Sequence, residues 1–323
     1  MRSWALLLGT ALAAVLLGVA VGPSGIGLSD AMRALAGRGD PATVAIIRDL
    51  RLPRALLAFL VGGSLAAAGA SLQAVVRNPL ADPFLLGISG GAGLGAVLAI
   101  ASHLGGAWAL PLSAFTGALA AVFLVYRLAL VSGAIVDGRI LILAGVVVGA
   151  FTASIMGAVL SVSPAPELRN AMLWLMGGFG NASWQSLGIF ATYAALPVAA
   201  LYATARSLDL LSLGDEPAGA LGVDAERTRR RVYLIASVLT AAAVAVSGII
   251  GFVGLVVPHA MRLRWGHLHL VLLPAAFLAG GALLVAADAV ARTAFAPVEL
   301  PVGVVTALVG VPVFSILVRR WTS

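Results

Sequence analysis

RLPRALLAFLVGGSLAAAGASLQAVVRNPLADP, residues 51–83, opens on two arginines, runs without a charge from 55 to 76, and closes on Arg77. A helix rises ~1.5 Å per residue, so a run of ~20 apolar residues crosses the hydrocarbon core of a bilayer. Asn78-Pro79 and Asp82-Pro83 then stop the helix, because the residue before a proline is pushed out of the helical region. The stretch therefore reads as one membrane-spanning helix over 51–76, ended by a tight polar turn over 77–83.

The rest of the chain repeats that pattern. Its 323 residues are 61% hydrophobic and 10% charged, with a mean hydropathy of +1.07. A water-soluble domain cannot hide that much apolar surface, so the chain reads as an all-α polytopic membrane protein, a single transmembrane unit over 1–323. At ~20 residues per span it has room for about ten helices and short loops. No segment shows the alternation of an outer-membrane barrel.

The expected spans follow in order. Residues 4–21 read as an uncleaved first span rather than a signal peptide, being long enough to cross. The passage over 22–50 is polar, with an amphipathic helix from Ser29 to Ala36, capped by Ser29, and a turn at GRGDPA. The third span is 84–103, with Gly87, Gly91 and Gly95 on one face for close helix approach. A glycine-rich nucleotide loop is excluded there, since no strand precedes it. The fourth and fifth spans are 108–130 and 140–162. Gly145 and Gly149 offer the fifth a second close face, and Thr152, Ser154 and Ser161 either line an aqueous path or bond back to their own helix. Pro166 to Met176 reads as a short helix outside the membrane. The remaining spans are 185–206, 232–249, a short one ending at Arg262 and Arg264, 271–291 with Asp288, and 302–318.

Between the sixth and seventh spans lies LSLGDEPAGALGVDAERTRRR, residues 211–231. It reads either as two short helices offered to a partner or as a solvated connector. If both termini are placed in the cytoplasm, the inner side holds Arg2, Arg77, Arg127, Arg139, Arg206, Arg227, Arg229, Arg230, Arg231, Arg262, Arg264, Arg319 and Arg320. The outer side holds Arg33, Arg38, Arg48, Arg51, Arg54, Arg169 and Arg292, which satisfies the positive-inside rule. Arginines left outside suggest an acidic partner there, unless a short basic loop is merely tolerated.

Several chemistries are excluded. Without cysteine there is no disulfide or thiolate site, and without lysine there is no P-loop and no Schiff base. No HExxH is present, and His103, His259, His267 and His269 are not spaced for a shared metal, except weakly the last two. No metal or cofactor is expected in this chain. His259 reads as a structural hydrogen-bonding group. Asp288 is the one mid-membrane carboxylate, with Arg292 a turn later as its ion-pair partner. A self-contained carrier or an intramembrane enzyme thus has little to work with, whereas a translocator driven from outside needs only docking surfaces.

The runs RLPRALLAFLVGGSLAAAGASLQAVVRNPLADPFLLGISGGAGLGA, LGDEPAGALGVDAERTR, GIIGFVGLVVPHAMRL, LLPAAFLAGGALLVAADAVAR and ELPVGVVTALVGVPVF resemble, in order and over about 50–320, the FecCD-type permeases. Those are membrane subunits of type II ABC importers for ferric siderophores, haem and vitamin B12. The resemblance implies a ten-helix subunit, paired with a second copy of itself in a bacterial cytoplasmic membrane. Two ATPase subunits, which hold the ATP and magnesium, would bind inside, and a periplasmic or lipid-anchored binding protein outside; nucleic acid has no part. It implies docking of the binding protein on Arg51, Arg54 and Arg292. It implies ATPase coupling through 211–228, at Leu213, Gly214, Asp215, Glu216, Ala218, Leu221, Gly222 and Val223. It places a cytoplasmic gate at Asp137, Gly138 and Arg139, and a translocation path along 140–162, 166–176 and 303–318 that includes Gly145, Gly149, Thr152 and Met156. The substrate it implies is a ferric siderophore or haem, with a corrinoid, suggested by the GGFG within LWLMGGFGNASW, as the alternative.

Overall fold

A computed structural model of the protein describes residues 2–131 and 138–322, with side chains over 4–130 and 138–316. The described residues are helices and turns. They run α1 (Arg2–Ala20), α2 (Leu28–Leu35), α3 (Pro41–Ala45), a π-helical turn (Ile46–Arg51) and α4 (Leu52–Val75). A 3-10 turn (Pro83–Leu86) leads to α5 (Ile88–Ala101), α6 (Ala109–Val131), α7 (Gly138–Ser161), α8 (Ala165–Leu175) and α9 (Trp184–Ala203). Then come α10 (Ala205–Ser212), α11 (Asp215–Ala220), α12 (Ala225–Ser247), α13 (Val253–Trp265), α14 (His269–Thr293) and α15 (Val302–Thr322).

Six of the described helical stretches are long and apolar enough to cross a membrane: Pro41–Val75, Ala109–Leu130, Gly138–Ser161, Trp184–Ala203, Ala225–Ser247 and His269–Thr293. Three shorter apolar helices, Trp4–Ala20, Ile88–Ala101 and Val302–Ile316, and the 13-residue α13 complete the expected set of about ten.

The stretch that opened the reading is the middle of the bundle. Of its most apolar window 83% is buried, against 28% for α6 and α7 and 22% for α9. The reason is its small residues, which let neighbours close in on every side. A Cβ on Gly69 would run into the carbonyl of Gly254 in α13, and one on Gly62 into the carbonyl of Gly280 in α14. Glycine faces also set α5 against α6, where a Cβ on Gly91 or Gly95 would collide with the carbonyls of Gly117 or Ser113.

Three local expectations are corrected. Helix α2 starts at Leu28 behind an extended Gly27, with no side-chain cap, so Ser29 sits inside the first turn. Gly87 is not on the α5 stripe. Its φ of 75° is left-handed, and it joins the helix to a 3-10 turn that Asp82 caps by accepting from the Phe84 N–H at 2.8 Å. The basic run Arg227–Arg231 is not loop but the start of α12, which Asp224 caps by accepting from the Arg227 N–H at 2.9 Å. The hydroxyls of α7 bond back to their own helix: Thr152 donates to Gly149 at 2.9 Å, Ser154 to Ala150 at 2.9 Å and Ser161 to Ala158 at 2.8 Å.

A Cβ on Gly280 would lie 2.5 Å from the Gly62 carbonyl oxygen. Gly280→Val should therefore push α14 off α4 and destabilise the protein by about 1–3 kcal/mol. Thermal unfolding in detergent should show a lowered apparent Tm, while Gly219→Ala, where a Cβ meets open space, should leave it unchanged.

Candidate functional site

The two ends of α4 lead to two polar clusters at opposite ends of the bundle. At its start, three arginines converge on Asp288 and on the end of α1. Asp288 has no exposed surface. Arg54 reaches it with Nε at 3.0 Å and Nη2 at 2.9 Å, and Arg292, one turn along α14, with Nε at 3.0 Å. The same Arg54 guanidinium grips Glu299, Nη2 to Oε2 at 2.9 Å and Nη1 to Oε1 at 3.2 Å. Such forked pairs suit a carboxylate that must be neutralised away from water.

Arg51 and Arg292 also close the C-terminus of α1, whose last carbonyls have no partner within the helix. Arg51 donates to the Ala20 carbonyl at 2.7 Å and to Ser24 Oγ at 2.5 Å, and Arg292 donates to the Gly18 carbonyl at 2.7 Å. A cation at a helix C-terminus also meets the negative end of its dipole. Arg51 is thus 5% exposed and Arg292 3%, both turned into the protomer. Of the three arginines expected to face a docking partner, Arg54 alone shares its fork with a half-exposed carboxylate, Glu299.

At the other end of α4, the segment 211–228 is held on the bundle by Asp215, which pairs with both Arg77 and Arg229. Arg77 also donates to the Leu211 carbonyl at 3.2 Å. Burial pushes the Asp215 carboxyl up, but the Arg229 and Arg77 guanidiniums together outweigh it and hold it below its ordinary 3.8, so the tie is charged at neutral pH. Left-handed glycines bracket α11: Gly214 at φ 122° and Gly222 at φ 82°. Between them Ala218 is fully buried and Leu221 60% exposed, and Leu213, just before Gly214, is 64% exposed. Glu216 is exposed and Val223 half-buried. The segment therefore presents two bare leucines and a carboxylate on a rigid turn.

Of the gate expected at 137–139, Asp137 lies outside the described residues. Gly138 begins α7 against Val76 at the end of α4, and Arg139 is exposed.

The expected path residues lie on the face of α7 turned to α5 and the turn before it. A Cβ on Gly145 would run into the Leu85 carbonyl, Gly149 and Thr152 back onto Gly90, and Met156 Sδ would lie 3.0 Å from a Cβ on Gly93. Gly145 and Thr152 are buried in that contact, whereas Gly149 and Met156 are half-buried and a Cβ on Gly149 would meet open space. The opposite face of α7 is bare, with Leu143, Val146, Val147 and Phe151 exposed. An apolar groove of about 560 Å3 lies elsewhere, between the end of α8 and α15, and Leu175, Met176, Ile249, Val304, Leu308 and Val311 are among its lining. Backbone bonds across the glycine turn stitch it together: Val302 N–H to the Gly177 carbonyl at 2.9 Å, and Gly178 N–H to the Ser247 carbonyl at 2.7 Å. No group of three or more metal-binding side chains is present among the described residues.

Sequence reasoning found the Asp288–Arg292 pair because its spacing is one helical turn. It named Arg54 only for docking and missed its pairing with Asp288, 234 residues away, and it missed Glu299, 11 residues from Asp288. It also missed the pair between Asp209 of α10 and His269 of α14, whose Nδ1 lies 2.6 Å from Oδ1. Only the isolated carboxylate and the outward arginines hinted at the first of these.

Residues 10–320 match the model of the FecCD transport family. The cobalamin import system permease of Halobacterium salinarum is 47% identical over 290 residues, 87% of this chain and 75% of the relative. The hemin transport system permease of Yersinia pestis is 43% identical over 287 residues, 84% of this chain and 82% of the relative. Among solved structures, a metal-chelate type ABC transporter in an inward-facing conformation superposes with a TM-score of 0.87 at 30% identity, covering 97% of each chain.

Removing Asp288 takes from the buried Arg292 its counter-charge and leaves Arg54 with Glu299 alone. Asp288→Ala should cost about 3–5 kcal/mol. Asp30→Ala breaks only the exposed pair with Arg33 and should cost at most about 1 kcal/mol. Thermal unfolding of both variants in the same detergent should show that order.

Proposed function

Because the chain belongs to the FecCD transport family and is an ABC importer permease, a multi-pass membrane subunit without catalytic activity of its own, we propose that it moves a bulky metal chelate across a bacterial cytoplasmic membrane. The observation that carries this reading is the pairing of two clusters at opposite ends of one buried helix. One is a charged fork at Arg54, and the other is an exposed, charge-anchored turn around α11.

In this reading two copies of the chain meet along their bare faces and share one path. The groove between α8 and α15 supplies part of its wall, and the gate lies near Asp137, Gly138 and Arg139. Two ATPase subunits, which bind ATP and magnesium, seat against Leu213, Glu216 and Leu221, with Gly214, Asp215, Ala218, Gly222 and Val223 holding the shape of that turn. A substrate-binding protein docks around Arg54, and Arg51 and Arg292 hold the frame behind it. ATP-driven closure of the motors displaces the 211–228 segments, and the path alternates between its two openings.

For the substrate we favour a metal tetrapyrrole, haem or a corrinoid. An apolar wall offers no tight polar site and lets a bulky chelate slide past, and the relatives named above are permeases of cobalamin import and hemin transport systems. A ferric siderophore is the alternative.

Uptake into proteoliposomes tests this directly, with the chain, its ATPase and its binding protein offered cyanocobalamin, haemin or a ferric hydroxamate. Accumulation of one substrate that disappears when the ATPase is omitted is expected. Accumulation without the ATPase would sink the importer reading. In the same complex, Arg54→Glu should weaken binding-protein affinity by at least about tenfold, since truncating one partner of a desolvated charge pair costs ~2–5 kcal/mol. Unchanged affinity in a variant that still elutes as an intact complex would remove Arg54 from the docking site.

A further inference from the structure

Helix α14 is tied at both ends. Its first residue, His269, is buried, and Asp209 of α10 accepts from the His269 backbone N–H at 2.8 Å. The same carboxylate oxygen lies 2.6 Å from His269 Nδ1. An ionised carboxylate has no proton to give, so Nδ1 is the donor, and the buried Nε2 finds no partner among the described residues. Asp209 thus caps α14 from another helix, a task that Leu268 at the cap position cannot perform. The cap matters because Pro274 cannot donate to the Leu270 carbonyl, which leaves the first turn of α14 joined to the rest by fewer bonds.

The far end of α14 carries Asp288, which holds Arg54 of α4 and is itself paired with Arg292 one turn along. Along their length the two helices touch backbone to backbone at Gly62 and Gly280. Past its own end α4 leads to Arg77, which grips Leu211 and Asp215. Asp209 belongs to the helix that leads directly into that segment.

We propose that α4 and α14 act as one strut between the docking face and the ATPase-coupling segment, and that Asp209, through His269, is the positioning contact that makes α14 follow α10. This rests on the permease reading above. A strut of two closely packed helices, each ~36 Å long, shifts as a body rather than bending. Motion of α10 and α11 under the motors then moves both anchored ends together, and reaches Arg54 and Glu299 through Asp288. Without the Asp209 tie, the first turn of α14 is free to lag behind α10.

The test uses the reconstituted complex of this chain with its ATPase and binding protein, and reads hydrolysis with and without binding protein. For Asp209→Ala the ratio of stimulated to basal hydrolysis should fall by about tenfold. Basal hydrolysis and binding-protein affinity should stay at wild-type values. Retained stimulation, or a loss of affinity and basal hydrolysis alongside it, would overturn the positioning role.

A second variant is independent of the alanine's folding. The chain has no cysteine, so Asp209→Cys combined with His269→Cys creates one addressable pair. Stimulation should be absent in the free dithiol, return when a short bis-methanethiosulfonate bridges it, and vanish again on reduction. Failure of the bridge to restore stimulation would overturn the proposal. A wild-type complex that shows no binding-protein-dependent hydrolysis would instead overturn the permease reading itself.

Discussion

A carboxylate with no surface in water has to be neutralised where it lies, and Asp288 imposes that condition on this bundle. Arg292 answers it from the next turn of the same helix, and Arg54 from a helix far away in sequence. Meeting the condition fixes how α4 and α14 sit against each other, and the close approach at Gly62 and Gly280 permits it. A lone pair in such surroundings would gain little over a hydrophobic substitute, because desolvation offsets most of the attraction. The position of the pair, at the end of the most deeply buried helix, makes more sense as a device for holding register than as a source of stability.

The arginines of that cluster also show how one residue type is divided between frame and surface. Arg51 and Arg292 are spent on the unpaired carbonyls at the end of α1. Arg54 keeps one edge on Asp288 and turns the other to Glu299 at the surface. At the opposite end Asp215 is shared by Arg77 and Arg229, so the same chemistry secures a short helix that has almost no core of its own. An exposed turn that is both anchored and bracketed by left-handed glycines can pass on a push, where a floppy connector would absorb it.

The amino-acid sequence by itself determined the class, the number and order of spans, and the family. Those depend on local quantities: length of apolar runs, proline and glycine stops, and charge at helix ends. It also determined contacts one helical turn apart, as with Asp288 and Arg292, because helical geometry makes such neighbours unavoidable. Capping was not legible. Ser29 was the expected cap of α2, but Gly27 precedes that helix, since both are good cap residues and the chain chooses by backbone conformation; the caps made by Asp82 and Asp224 emerge only in the structure.

Only the tertiary structure decided which face of each helix met which neighbour. In a chain this apolar every face of a span is hydrophobic, so periodicity carries no inward direction. That is why Gly145 and Thr152 are buried against α5 and its leading turn although their sequence suits a path as well, and why Arg51 turns inward. It is also why Glu299, Asp209 and His269 gave no signal. Their partners lie on other helices, and only the packing of the bundle brings a carboxylate to the end of a helix that cannot cap itself.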